Sequence, residues 1–183
     1  PIAQPYHFSS HVLLWRMLMQ LSRLDRADDF QNLAQRVYET IIKHFITEHE
    51  GKRLYSYATD GQGGHHLYHD ANDIPLALMP HWGFCAADDE LWRNTVEFAW
   101  SQHNQGGVYD HKLGSVHTPA PWPLGDVQEM LIAGMQGDWQ RYRETCQRIV
   151  KAAQWDGALP EAYSADDYSV VSRHCFAWTN AML

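Results

Sequence analysis

Three times along this chain, two helix-like stretches are joined by a short turn and followed by a long loop rich in Gly, His and aromatic residues. The turns are Leu24 to Asp29, Ala86 to Glu90 and Met135 to Trp139, and the loops run over about 50–71, 103–121 and 155–175. A repeat of this length predicts an array of helical hairpins in which every long loop falls at the same end. The three loops can then floor one pocket, and most side chains able to do chemistry sit in them.

Apolar periodicity places the helices. Residues 8–24 carry Leu13, Leu14, Met17, Leu18 and Leu21 at helical spacing, with Ser9 or Ser10 as cap. Residues 28–49 put Leu33, Val37, Ile41 and Phe45 on one stripe and Gln31, Gln35, Arg36 and Glu39 off it. Tyr55 and Tyr57 alternate as in a short strand, and Gly61, Gly63 and Gly64 then break the backbone. A third helix starts at Ala71 or Asn72 and ends at Trp82, where Pro80 stops or kinks it. The fourth covers 88–102, with Leu91, Thr95, Phe98 and Ala99 on one face. The fifth covers Pro123 to about Gly134 and the sixth 138–154, and a seventh begins near Phe176.

The odd helices are apolar most of the way round, and the even ones carry one polar face. Buried and covering helices in alternation describe the inner and outer rings of an α/α toroid. The expected fold class is therefore all-α, with residues 1–183 as a single domain holding about half the helices of such a ring. Part of a ring leaves apolar inner-helix surface exposed. It needs further sequence, self-association with another copy, or a different closure.

Composition removes several classes of function. The net charge is −8 with 14 Lys and Arg and no basic stripe, so no nucleic-acid partner is expected. No apolar run approaches membrane-spanning length. The cysteines, Cys85, Cys146 and Cys175, are odd in number and widely spaced, which points to buried thiols in a reducing, cytoplasmic setting. The 8 Trp and 9 Tyr fall often in or beside the loops, where flat faces with a polar edge suit sugar rings as well as core packing. The chain begins at Pro1 without a starting Met or a signal-like segment, and it is expected to be the C-terminal part of a larger catalytic domain, inactive as these 183 residues alone.

Three loop segments carry a resemblance. They are Tyr68-His69-Asp70-Ala71-Asn72-Asp73-Ile74-Pro75, then Ser115-Val116-His117-Thr118-Pro119 followed by Trp122-Pro123, then Pro160-Glu161-Ala162-Tyr163 with Asp166, Asp167, Arg173 and the run Phe176 to Asn180. In this order they resemble the metal-independent α-mannosidases of glycoside hydrolase family 125, members of the six-hairpin glycosidase superfamily. The resemblance covers about residues 50–183; before that, residues 8–49 agree only in helical pattern. It departs at His69, where the family has Asp, and at Pro160, Ala162 and Tyr163, where the family reads His-Glu-Ser-Phe. The family's general acid lies in an upstream Asp-Asp-Ala segment with no match in these residues.

The resemblance implies an (α/α)6 barrel and an inverting exo-α-mannosidase. It maps the general base onto Glu161 and implies substrate contacts from His117 and Thr118. Inverting glycosidases need one protonated acid and one carboxylate that activates water. Glu161 suits the second role, following Pro160 in a loop flanked by Trp155 and Tyr163. Of Asp70 and Asp73, one caps the helix beside Asn72 and the other binds sugar hydroxyls. Asp110 could substitute as an acid. Arg173 either clamps Asp166 or Asp167 or meets substrate, and Trp122 and Trp178 are candidates to stack on a sugar, with core packing open for Trp178.

No cofactor is expected. His65, His66, His69 and Asp70 suggest a metal, but adjacent histidines on an extended chain point apart, and the resembled family is metal-independent. Gly61-Gln62-Gly63-Gly64 lacks the context of a phosphate loop. The expected partner is a carbohydrate. Two other readings stay open: a non-catalytic carbohydrate-binding or structural α/α module, and a sugar epimerase or isomerase using His117 and His174 as acid and base.

Overall fold

A computed structural model describes residues 4–24 and 27–183, so Asp25 and Arg26 of the first predicted turn lie outside the described residues. The chain divides into two compact units, residues 1–67 with 78–95, and residues 68–77 with 96–183. The helical expectation holds in part: among the described residues seven helices are accompanied by ten short strands in four small sheets. All of the strands except β1 occupy the loops after the helical hairpins, where β-branched and aromatic residues favour extended pairing and Gly supplies the turns.

In the first unit, β1 (Tyr6–His7) leads into α1 (Phe8–Leu21), which packs on α2 (Ala27–His44). The buried face of α1 is Phe8, Val12, Trp15 and Leu18. The apolar stripe that marks this segment as a helix lies elsewhere: Leu13, Leu14 and Met17 are 40–50% exposed. In α2, Ala34 and Ile41 are buried and Leu33 is exposed. The helix stops at His44, five residues short of the expected end, because Ile46–His49 forms β2. It pairs with β3 (Lys52–Tyr55) across Glu50 and Gly51, whose φ values of 50° and 76° make a two-residue hairpin turn. Tyr57, expected in a strand, lies between β3 and β4 (Ala58–Thr59), and β4 pairs with both β1 and β5 (His65–His66).

Two helices divide between the units. α3 (Ile74–Trp82) begins after the Asp70–Asp73 turn, later than Ala71 or Asn72. Its end is closed by Gly83 N–H on the Pro80 carbonyl and Phe84 N–H on the Met79 carbonyl, a paired cap that needs the left-handed Gly83 at φ 77°. α4 (Glu90–Ala99) is capped by Asp89, whose carboxylate accepts the Trp92 N–H at 2.9 Å.

The second unit holds β6 (Val108–Tyr109), β7 (Lys112–Ser115) and β8 (Thr118–Pro121) as an antiparallel sheet in that order. α5 (Pro123–Gln136) and α6 (Trp139–Ala152) form a hairpin closed by left-handed Gly137 and capped by Asp138. β9 (Ala162–Tyr163) and β10 (Val170–Ser172) pair beyond it, and α7 (Ala177–Met182) follows. Ala71, Leu113, Ala120, Trp122, Leu124 and Ala162 make one core cluster, so segments from all three predicted loops meet at its edge. Among the described residues, no helix is long and apolar enough to cross a membrane.

Candidate active site

The three resembling segments meet within the second unit, and close backbone approach brings them there. Asn104 grips residue 69 at both ends: its Oδ1 accepts the His69 N–H at 3.0 Å and its Nδ2 donates to the His69 carbonyl at 2.7 Å. A Cβ at Gly107 would stand 2.0 Å from that carbonyl, and one at Gly114 would stand 1.9 Å from the carbonyl of Ala120. Both positions therefore need glycine. Because Asn104 holds the backbone of residue 69, the place of His69 in the turn does not depend on the side chain the family pattern has there. The His69 ring is buried, 3.9 Å from Asp73 and tilted against Trp100.

Asp70 is 4% exposed and its carboxylate is occupied by the protein. Oδ1 accepts the Asn72 N–H at 2.8 Å, and Oδ2 accepts Ser115 Oγ at 2.7 Å, the Tyr68 hydroxyl at 3.0 Å and, at the limit, Asn72 Nδ2 at 3.4 Å. Burial first, and then the Asp70 charge, push the Tyr68 hydroxyl above its usual pKa, so it stays a donor. Asp70 thus lacks the pair of open oxygens that bidentate binding of sugar hydroxyls requires. Asp73 stands immediately before α3, and its Oδ2 lies 3.4 Å from the Asp70 N–H.

Glu161 is also a buried carboxylate, 3% exposed. Its N–H donates to the carbonyls of Ser172 and Arg173 at 3.1 and 3.0 Å. Oε2 accepts Ser172 Oγ at 2.6 Å and Thr118 Oγ1 at 3.2 Å, and Oε1 pairs with Arg173 Nη1. A carboxylate offers about four acceptor positions. Three donors hold Glu161, so one position remains for a water. Arg173 adopts φ 45°, a left-handed conformation uncommon for a long side chain, and so presents both its carbonyl and its guanidinium to Glu161. Of the two roles read for Arg173, the clamp onto Asp166 or Asp167 is not formed: Arg173 takes Glu161, while Asp167 accepts from Ser169.

The turn between β7 and β8 spans the two carboxylates. Ser115 at one end binds Asp70, Thr118 at the other binds Glu161, and His117 lies exposed between them. His174 donates through Nε2 to Asp156 Oδ2 at 2.8 Å, and its ring is 6.3 Å from that of Trp155, which is 91% exposed.

Trp122 is 2% exposed, met edge-on by Phe176, with Nε1 donating to the Thr118 carbonyl; burial gives it a packing role, which corrects its assignment as a stacking platform. Trp178 is 52% exposed and keeps a face open. Asp110 is also corrected. It sits at φ 48° in the tight β6–β7 turn with His111, and Lys112 holds its carboxyl below the usual range, opposite to what a general acid needs. Ser115, Thr118, Ser172 and Asn104 were not legible as carboxylate or backbone holders; their only sequence signal is a place within or beside the resembling segments.

The profile of the metal-independent α-mannosidases (GH125) matches residues 5–183. The meiotically up-regulated gene 157 protein of Schizosaccharomyces pombe is 23% identical over 176 residues, which cover 91% of this chain and 34% of that protein. A metal-independent α-mannosidase of Streptococcus pneumoniae, solved in a non-productive complex with α-1,6-mannobiose, superposes with a TM-score of 0.77 at 24% identity. The superposition covers 96% of this chain and 43% of that one, so the chain spans well under half of either relative.

Proposed function

Because this chain belongs to the metal-independent α-mannosidase family, glycoside hydrolase family 125, we propose that its protein is an inverting exo-α-mannosidase with Glu161 as the general base. The observation that carries this reading is the setting of Glu161, buried and held by three donors with one acceptor position left for the attacking water. Thr118 and Ser172 fix the carboxylate's rotation, and Arg173 holds it from the solvent side. His117 and Trp178, both exposed, are the proposed contacts to the sugar. Asp70 and Asn72 act behind them by anchoring Ser115.

The likeness to the S. pneumoniae enzyme supports a place for this chain in an (α/α)6 toroid, as the C-terminal part of the catalytic domain. The general acid is then supplied by another segment of that domain. The three cysteines, all free, suit a reducing compartment such as the cytoplasm.

The test is hydrolysis of α-1,6-mannobiose and aryl α-mannosides, with the anomer of the released mannose followed by NMR. Glu161→Gln is expected to lower kcat by about 10²–10⁴ while the fold is kept. Unchanged turnover in Glu161→Gln would remove the base assignment. Sugar binding without turnover in the intact protein would instead mark a binding module, and an isomerised product an epimerase.

A further inference from the structure

We propose that a chain of side chains, Tyr163 to Asp126 to Arg148 to Glu129 to Arg141, buried at Tyr163, Asp126 and Glu129 and half-buried at the two arginines, fixes the backbone that carries Glu161, with Tyr163 as its positioning residue. Its effect on catalysis rests on the reading of Glu161 as base; its effect on the backbone does not. Tyr163 is fully buried, and its hydroxyl donates to Asp126 Oδ2 at 2.7 Å. Asp126 Oδ1 accepts Arg148 Nε at 3.0 Å. Arg148 Nη2 pairs with Glu129 Oε2, and Glu129 Oε1 accepts Arg141 Nε at 2.7 Å. Arg141 ends the chain over the Trp100 ring, 5.6 Å from its centroid.

The pieces come from two rigid elements. Asp126 and Glu129 are three apart on α5, and Arg141 and Arg148 seven apart on α6, so each pair shares one helix face. Charges alternate in sign, and every carboxylate oxygen in the chain has a partner. Buried ion pairs give little net stability over apolar packing. A fully satisfied network does give a stiff and unique geometry. The Tyr163 ring is stacked on Tyr168 at 5.3 Å and 12°, which fixes where its hydroxyl points. Only Ala162 separates Tyr163 from Glu161, about 7 Å of extended chain, so a shift at one is felt at the other. Tyr163 stands where the family motif has Phe, so this tie belongs to this chain and not to the motif.

The test is Tyr163→Phe, which removes one oxygen, read by hydrogen exchange and by kinetics. The expected result is amide exchange at Glu161 and Ala162 at least about tenfold faster, with exchange in the middle of α6 unchanged. On α-1,6-mannobiose, kcat should fall about tenfold to a hundredfold with KM held within about twofold. Exchange that stays the same at Glu161, or rises equally throughout α5 and α6, overturns the proposal, as does an unchanged kcat in an active enzyme. If the wild type does not cleave mannosides, the mannosidase reading fails, and the exchange result alone decides this one. Should Tyr163→Phe not fold, Arg148→Lys, which keeps the charge and breaks the fork between Asp126 and Glu129, is read by the same criteria.

Discussion

At the scale of single residues, the buried carboxylates Asp70 and Glu161 differ in what remains open on them. Glu161 keeps one acceptor position, while Asp70 keeps none that a sugar could take bidentately. The proposed chemistry therefore rests on Glu161, and Asp70 serves construction. Asp70→Ala would remove the carboxylate acceptor shared by Ser115 Oγ, the Tyr68 hydroxyl and the Asn72 N–H. Thermal unfolding should show a loss of about 2–3 kcal/mol, from buried donors left unpaired. Asp70→Asn keeps an acceptor oxygen and should lose less. Equal losses in the two variants would mean that Asp70 acts through its charge rather than as a hydrogen-bond hub.

At the scale of elements, the α5–α6 hairpin carries a pH dependence that can be given a sign. Burial raises Asp126 from the usual 3.8 to about 6, against the opposing pull of Arg148 and Tyr163. A carboxyl whose pKa is higher folded than unfolded favours the fold most below the unfolded value, and this favour is lost as pH rises through the folded one. The contribution should therefore be complete below about pH 4 and gone above about pH 6, on the order of 3 kcal/mol at 1.36 kcal/mol per pKa unit. Urea midpoints at pH 4 and pH 7 for the wild type and Asp126→Asn check this: relative to the variant, the wild type should be the more stable at the lower pH, and a reversed order would refute it. The hairpin itself was legible in the sequence, since Gly137 and Asp138 are a stop and a cap placed side by side. The network was not, because nothing in the sequence singles out Asp126, Glu129, Arg141 and Arg148 until the two helices are set against each other. Most strands were missed for a related reason, although the extended stretch expected at Tyr55 does fall in β3. Ile46-Thr47-Glu48-His49 continues the apolar period of α2, and only pairing with β3 makes it extended. The loop segments that carry the site were legible because their motif order survives without any knowledge of packing.

At the scale of the whole molecule, the informative element is α1. Its periodicity predicts a helix correctly, but the helix buries Phe8, Val12, Trp15 and Leu18 and leaves Leu13, Leu14 and Met17 half exposed. These three are neighbours on the helix surface at one-, three- and four-residue spacings. A helix apolar on both sides is one with two packing partners, and among the described residues the second side has none. The chain spans 34% of the fission yeast protein and 43% of the S. pneumoniae mannosidase, so such a face has ample matter to meet in proteins of their length. A polypeptide of these 183 residues should consequently bind an apolar dye and sediment with a mass that rises with concentration. Replacing Leu13 and Met17 together by Gln should reduce both effects. Helical circular dichroism should be kept, because neither side chain fills the α1–α2 core and Gln is a good helix former. A polypeptide that stays monomeric and dye-silent at every concentration would show that these leucines and Met17 lie on an ordinary solvated surface.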